Sequence, residues 1–203
     1  MARSDVQLML DVKAGDEASF DFLLQKYRSP LVNFLNRMVR DTATAEDLAQ
    51  DVFLRVYRAR KQYTPTAKFT TWLFRIATNV ALNSVRDNRH QKLAVPLDAP
   101  VGNEDSAPRE LPASEMRIDE RLIERDRTEI IRRAIASLPE KQRAAVLLHK
   151  YEEMDYMEIS RILDCSEGAL KSLLFRAYET LRMQLAPLVT QPVERRGGEG
   201  RPS

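Results

Sequence analysis

Four side chains near the C-terminal end of the chain have the types and the spacing needed to contact nucleic acid. They are Lys171, Ser172, Phe175 and Arg176, at positions i, i+1, i+4 and i+5 of one predicted helix. Residues at this spacing share one face of a helix. Lysine and arginine bind phosphates or the edge of guanine, and the thymine methyl group is an apolar target for phenylalanine. These residues therefore indicate a surface that contacts the DNA major groove.

Two predicted helices around a tight turn, within residues 155–185, position this surface. Ser166 follows the break in the pattern and is a good N-cap for the second helix. This arrangement is typical of a helix-turn-helix. An ordinary helical hairpin, with solvated charges and Phe175 in a core, remains the alternative for this segment alone. The apolar positions of the two helices are Ile159, Ile162, Leu163, Leu170, Leu173, Leu174, Ala177 and Leu181.

Composition restricts the class of protein. The chain has 203 residues and a net charge of +2, so any basic surface must be local. The single cysteine, Cys165, excludes an internal disulfide and a thiolate zinc cluster, which fits a reducing cytosol. We expect a cytoplasmic, all-α protein without membrane insertion, because there is no bilayer-length apolar run, no signal-peptide core and little β-type alternation.

The N-terminal third is predicted to form several scaffold helices. Gly15 closes the first of them, and the Ser29-Pro30 dipeptide is expected to restart the chain as a new helix. The predicted N-caps are Ser4 or Asp5, Asp16 and Thr44.

The helix after Thr44 has an outward face with acidic and apolar side chains. A leucine within an acidic patch suggests a protein partner with a basic surface. A solvated helix face is the alternative, and the helix taken alone favours this alternative. The residues of this face are Asp47, Gln50, Asp51 and Leu54.

A proline-containing loop, residues 61–68, leads into the next predicted helix, where polar side chains form a stripe. Tyr63 and Phe69 flank this loop, and aromatic rings beside a basic and amide stripe suit single-stranded nucleic acid. Trp72 is interpreted mainly as a core residue. The stripe consists of Arg75, Asn79, Asn83 and Arg86, with Arg89 beyond it.

A proline-rich segment, residues 91–113, is predicted to be a flexible linker between two small helical domains. The first domain is placed at 1–90 and the second at 114–186, ending in the helix-turn-helix. Residues 187–203 are expected to be a disordered tail. In the second domain, Pro139 opens a new helix, and the best apolar positions of the helix before it are Ile123, Ile130, Ile131 and Ile135.

The chain resembles the extracytoplasmic-function (ECF) group of sigma factors, within the bacterial sigma-70 superfamily. The resemblance rests on AEDLAQDVFLRVYRA, KFTTWLFRIATNVALNSVR and LPEKQRAAVLLHKYEEMDYMEISRILDCSEGALKSLLFRAYETLR, in this order. With the helices leading into them, these segments cover nearly everything except the linker and tail. His149 departs from the family pattern, since arginine is frequent there. The segment 154–156 also departs, because relatives usually have a glycine-containing approach.

The resemblance implies a function in transcription initiation for each face. The acidic face, Asp47, Gln50, Asp51 and Leu54, is expected to bind core RNA polymerase. Tyr63, Phe69 and Asn79 are expected to capture a flipped base of the minus-ten element and aid melting, while Arg75, Asn83, Arg86 and Arg89 hold DNA nearby. Lys171, Ser172, Phe175 and Arg176 are expected to recognise the minus-thirty-five element. The family also implies an anti-sigma factor as partner, and we expect a monomer when free.

Two other classes of protein were weighed. A conventional helix-turn-helix regulator would need a sensing or receiver domain, and the N-terminal half shows no βα alternation or phospho-acceptor pattern. An enzyme is disfavoured because no phosphate loop, nucleophile elbow or metal-ligand spacing appears. His90 and His149 lie far apart and beside cations. We expect no catalytic residue, no metal and no cofactor.

Overall fold

The computed structural model describes residues 3–94 and 118–190, and this part of the chain consists of helices and short connections. The eight α-helices found in these ranges are α1 Asp5–Ala14, α2 Glu17–Val39, α3 Thr42–Ala59, α4 Phe69–Ala94, α5 Ile118–Ser137, α6 Glu140–Lys150, α7 Tyr156–Leu163 and α8 Glu167–Thr190. A 3-10 turn, Arg60–Gln62, follows α3. The all-α prediction is confirmed.

Helices α1 to α4 enclose the first core. Ser4 caps α1, because its hydroxyl accepts a hydrogen bond from the Gln7 backbone, and Gly15 ends the helix in the left-handed conformation at φ 108°. Asp16 caps α2 through the Ala18 backbone, as predicted. The largest fully buried side chains of this core are Met9, Leu23, Leu31, Phe34, Leu35, Met38, Phe69, Leu73 and Phe74.

Helix α2 is continuous across Pro30, so the predicted restart at Ser29-Pro30 is wrong. An interior proline removes a backbone donor and costs about 3 kcal/mol. The helix continues because the residues after Pro30 complete its buried face. They are Leu31, Phe34, Leu35 and Met38.

The N-cap of α3 is Asp41, so the prediction of Thr44 as the cap is wrong. The Asp41 carboxylate accepts a hydrogen bond from the Thr44 backbone N–H at 2.6 Å. Thr44 therefore lies in the first turn of the helix, and hydrogen bonding from its side chain, and then from its backbone, lowers the pKa of Asp41. The helix starts three residues earlier than the sequence pattern suggested.

Helices α5 to α8 form the second core. Ile135 is buried, whereas Ile130 and Ile131 are exposed, contrary to the prediction that they form the apolar side of α5. Pro139 precedes α6 as expected. Ile123 is outside the residues whose side chains are described.

The two cores pack against each other through α4 with α7 and through α2 with α6. Arg143 of α6 is buried, and its guanidinium donates to the Met38 carbonyl of α2 at 2.6 Å. It also donates to the Ala136 and Leu138 carbonyls at 2.6 and 3.1 Å. Burial is the main reason that the pKa of Arg143 is lowered.

The predicted domain boundaries fall partly inside helices. Helix α4 continues to Ala94, so residues 91–94 of the predicted linker are helical. Helix α8 continues through Pro187 to Thr190, which overlaps the start of the predicted tail. The remainder of the linker prediction, residues 95–113, and of the tail prediction, residues 191–203, lies outside the described residues.

Candidate nucleic-acid and polymerase interfaces

Helix α8 exposes all four residues predicted to contact a duplex, Lys171, Ser172, Phe175 and Arg176. The Phe175 side chain is 67% exposed, so its placement in a core is excluded. The hydroxyl of Ser172 donates to the Gly168 carbonyl at 3.1 Å and remains at the surface. The opposite side of the helix is buried through Leu170, Leu174, Ala177 and Leu181.

Local capping defines where α7 begins and ends and where α8 begins. Asp155 and Glu158 form a reciprocal capping box at the start of α7. Asp164 ends α7 in the left-handed conformation, at φ 51°. The Ser166 hydroxyl then accepts from the Ala169 backbone at 3.2 Å, which confirms the predicted N-cap of α8.

His149 is part of the packing that holds α8 in place. Its Nδ1 lies 2.7 Å from the Tyr178 hydroxyl, and its ring meets Tyr156 edge-on at 5.4 Å. Burial lowers the pKa of His149, and the adjacent Lys150 lowers it further. The histidine at this position therefore connects α6 to α8 through hydrogen bonding and aromatic contact.

Helix α4 carries the second polar face. Arg75, Asn79, Asn83 and Arg86 are all exposed, at intervals of three and four residues along one side of the helix. The structure therefore brings these four predicted residues together on one accessible stripe, and Arg89 is exposed beyond them.

Tyr63 and Phe69 do not belong to that accessible stripe. Their exposures are 3% and 2%, which conflicts with their prediction as base-stacking residues. The Tyr63 ring packs on Trp72 at 4.9 Å, and the Phe69 ring packs on Tyr27 at 5.4 Å. The Tyr63 carbonyl also accepts from Lys13 at 2.8 Å. In this structure both rings fix the loop before α4 to the core.

The acidic face of α3 is accessible. Asp47, Gln50 and Leu54 are exposed, with Leu54 at 53%, while Asp51 is partly covered and forms an ion pair with Arg55 at 2.9 Å. Beside this face, α2 and α3 form a groove of about 620 Å³. Its lining combines apolar residues with acidic ones, among them Phe20, Leu24, Phe53, Leu54, Tyr57, Glu17, Asp21 and Glu46.

Sequence reasoning missed the contacts between the two domains. Glu158 of α7 accepts from Thr71 of α4 at 3.0 Å and forms an ion pair with Lys68 at 3.1 Å. The Asp155-to-Glu158 spacing signals a capping box, but no local pattern signals the partners on α4. Arg143 likewise lies among apolar residues of α6 without any sequence cue to its distant acceptor.

Residues 3–94 and 118–190 contain no group of three or more side chains suited to holding a metal ion. No helix in these ranges has the length and apolar character needed to cross a membrane. Cys165 is a free cysteine and is partly buried.

Two family models match successive parts of the chain. The sigma-70 region 2 model matches residues 23–91, and the sigma-70 region 4 model matches residues 128–181. The RNA polymerase sigma-H factor of Pseudomonas aeruginosa is 33% identical over 190 residues, covering 92% of this chain and 96% of that protein. The ECF sigma-E factor of Escherichia coli is 30% identical, with the same coverage of both chains. The chain belongs to the ECF sigma factors.

This ECF sigma factor also matches SigW of Bacillus subtilis, at 30% identity over 87% of this chain and 94% of the relative. As a member of the family, the protein directs promoter-specific initiation with RNA polymerase and is not an enzyme. The matched region 2 contains the faces on α3 and α4, and the matched region 4 contains the face on α8.

Solved structures show the same fold. CnrH, in complex with the cytosolic domain of CnrY, superposes with a TM-score of 0.66 at 19% identity, over 91% of this sigma factor and 99% of CnrH. The sigma factor RpoE of Bartonella quintana, in complex with the anti-sigma factor NepR, gives a TM-score of 0.62 at 21% identity, over 82% and 96% of the two chains.

Proposed function

We propose that the three exposed faces divide the work of promoter recognition. The α8 face contacts the minus-thirty-five element, the α4 face contacts the minus-ten element and aids melting, and the α3 face binds core RNA polymerase. The observation that carries the proposal is the separation of two accessible nucleic-acid faces on two domains, with Phe175 exposed on one and Asn79 on the other.

For α8, the side-chain chemistry supports contacts with the major groove. Arg176 can donate to guanine or phosphate, and Phe175 supplies an apolar surface for thymine methyl groups. Replacing a base-contacting arginine by alanine costs about 1–3 kcal/mol and relaxes specificity at that position. Arg176→Ala should therefore reduce the preference for the native upstream element.

For α4, the exposed amides and guanidiniums support contacts with a melted strand. Unstacking a base costs a few kcal/mol, so side chains that hold the exposed strand favour the open duplex. Asn79 is the candidate for a base edge, and Arg75, Asn83 and Arg86 are candidates for the sugar-phosphate backbone. Because Tyr63 and Phe69 are buried, we assign them the support of the preceding loop.

The α3 face combines acidic side chains with an exposed leucine. Asp47 and Asp51 favour a basic partner surface, and Leu54 provides an apolar contact at its centre. The groove beside this face extends the apolar area. An anti-sigma factor is expected to cover the same region, and the complexes of CnrH and Bartonella RpoE provide precedents for such a partner.

We expect the free protein to bind DNA weakly, because its net charge is small. The net charge of +2 provides little nonspecific attraction to DNA. Tethering both faces to polymerase raises their effective concentration at correctly spaced elements. We expect the protein to act as a monomer in the cytoplasm, where the polymerase works, and to need no cofactor.

Transcription with purified components tests this proposal. Templates are chosen by sequencing the transcripts that start when the protein is overexpressed. Core polymerase plus this protein should initiate at those sites without an activator, whereas core polymerase alone should not. Failure to form a complex with core polymerase, or a complex that opens none of the mapped promoters, would refute the proposal.

A further inference from the structure

A carboxylate of the second domain lies against a cation and a hydroxyl at the start of α4. Glu158 is only 8% exposed. Its Oε1 accepts from Thr71 Oγ1 at 3.0 Å and lies 3.1 Å from Lys68 Nζ. Its Oε2 accepts from the Asp155 backbone at 3.2 Å within the capping box. One carboxylate therefore joins the helix-turn-helix to the minus-ten domain.

The two partners, Lys68 just before α4 and Thr71 in its first turn, extend the line of the α4 polar stripe beyond Arg75. Thr71 precedes Arg75 and Asn79 at intervals of four residues, so the three share one row of the helix. Lys68 lies three residues before Thr71 and is exposed. Thr71 itself is buried, because α7 covers it. The second domain thus conceals one end of the stripe assigned to DNA.

We propose that Lys68 and Thr71 form a binding site for a backbone phosphate of promoter DNA, and that Glu158 occupies this site while the two domains are packed together. This rests on the proposed contact between α4 and the minus-ten region. A carboxylate and a phosphate both present anionic oxygens, and lysine and threonine side chains are common phosphate donors. Glu158 therefore stands where the phosphate binds, and the two occupants exclude each other.

The distance between the two promoter elements requires the two packed domains to separate. The two promoter elements are nominally about 25 base pairs apart, or about 85 Å along the duplex. A globule formed by the described residues is about 40 Å across. Segment 95–117, fully extended, would reach about 75 Å. Binding both elements therefore separates α7 from α4, and this separation removes Glu158 from Lys68 and Thr71.

The experiment measures binding of the free full-length protein, in which the two domains are packed together, to a duplex from a mapped promoter at low and rising salt concentrations. Glu158→Gln retains a side chain of the same shape but removes the charge that competes with phosphate, so it should strengthen binding several-fold. Lys68→Ala alone has two opposing effects on DNA affinity. The loss of a phosphate contact lowers the affinity, and the weaker contact between the domains raises it. Its effect is therefore measured in the Glu158→Gln background, where the competing charge is absent.

In that background, Lys68→Ala should weaken binding at all sequences and lower the slope of log K against log salt by about one. Thr71→Val should weaken binding with little change in the slope, since it removes a neutral donor. Lys26→Ala is the matched control, because it removes a lysine whose ion pair with Asp5 lies on another face. The control should leave both affinity and slope unchanged.

Domain separation is followed in the free protein with spin labels at Gln25→Cys and Met183→Cys, in a Cys165→Ser background. Both positions are exposed, and they belong to different domains. Glu158→Gln should increase the population with long distances between the labels. An unchanged distance distribution together with unchanged DNA affinity would overturn the competition between Glu158 and phosphate.

Arg75→Ala separates failure of this inference from failure of the proposed function. If Arg75→Ala weakens binding while Lys68→Ala and Thr71→Val do not, the phosphate site is refuted and the α4 face stands. If Arg75→Ala and Asn79→Ala also have no effect, the assignment of α4 to DNA fails, and the phosphate site fails with it.

Discussion

Helices α4 and α8 each carry a polar face assigned to DNA, but they place their aromatic side chains in opposite ways. On α8, Phe175 points away from the core and is 67% exposed. At the start of α4, Phe69 is 2% exposed and packs on Tyr27. Helix α8 thus has an apolar side chain available at its surface, whereas helix α4 presents amides and cations over an aromatic core.

The two faces also differ in how the packed domains affect them. The four contact residues of α8 remain exposed when the domains are together. The N-terminal end of the α4 face is covered at Thr71 by Glu158. Domain packing therefore leaves the α8 face exposed while covering one end of the α4 face.

The largest effect is expected on stability, in a comparison of two single variants in which Phe69 or Phe175 is replaced by alanine. Phe69→Ala removes a buried ring and should lower the free energy of unfolding by about 3–5 kcal/mol. Phe175→Ala should change it by no more than about 0.5 kcal/mol, since the ring is exposed. Urea denaturation of both variants measures the difference. Similar stabilities for the two variants would contradict the contrast between buried and exposed aromatic side chains.

Arg143 should give the next largest effect. Arg143→Ala leaves the Met38, Ala136 and Leu138 carbonyls without this donor, and an unsatisfied buried group costs about 1–3 kcal/mol. We expect a loss of about 3 kcal/mol in the unfolding free energy. Arg132→Ala on the exposed side of α5 is the matched control, and it should lose less than about 0.5 kcal/mol. Equal losses in the two variants would show that the hydrogen bonds of Arg143 contribute little.

The polar faces of α4 and α8 could largely be predicted from the sequence, because they depend on local periodicity. The apolar stripe of α8 and its opposite polar face follow from residues 170–181 alone, and Ser166 has the chemistry of an N-cap. The exposed stripe from Arg75 to Arg86 was predicted by the same spacing. These features required no knowledge of distant partners.

The errors arose where tertiary contacts override local signals. Pro30 signals a helix start, but burial of the residues after it keeps α2 continuous. Asp41 and Thr44 are both acceptable caps, and the backbone geometry selects Asp41. Tyr63 and Phe69 flank a loop, which suggested exposure, yet Trp72 and Tyr27 enclose them. Glu158 and Arg143 find partners far away in sequence, which no local pattern reveals.

A smaller effect is expected from reversing charge on α3. Asp47→Lys with Asp51→Lys should weaken binding to core polymerase about tenfold, or about 1.4 kcal/mol, because a basic partner would meet like charges. The fold should be unchanged, since Asp47 is exposed and the Asp51–Arg55 ion pair is partly exposed. Titration with labelled core polymerase measures the affinity. Asp126→Lys on α5 is the control, and the same loss there would indicate a nonspecific charge effect.

A further prediction concerns pH. Burial raises the pKa of Glu152, between α6 and α7, to about 7, against the opposing influence of Arg37 on α2. Arg37 also lies 4.1 Å from the Tyr151 ring centre. Since the raised pKa favours the protonated form, this contribution to stability is present below the ordinary pKa of 4.5 and is lost as pH rises through about 7.

Urea denaturation of wild type and Glu152→Gln between pH 4.5 and 8 tests this dependence. The unfolding free energy of wild type should fall relative to the glutamine variant as pH rises, and the difference should level off above about 7. A difference that is constant across the range would show that Glu152 does not titrate in the folded protein as expected.

The division of promoter recognition between the domains is tested most directly by transcription with purified holoenzyme. Each protein variant is assayed on templates in which either the minus-thirty-five or the minus-ten element is scrambled. Arg176→Ala should reduce the sensitivity of transcription to scrambling of the minus-thirty-five element while leaving its dependence on the minus-ten element unchanged. Asn79→Ala should do the reverse. If both variants retain both dependences, or each loses both to the same extent, the assignment of one element to each domain is contradicted.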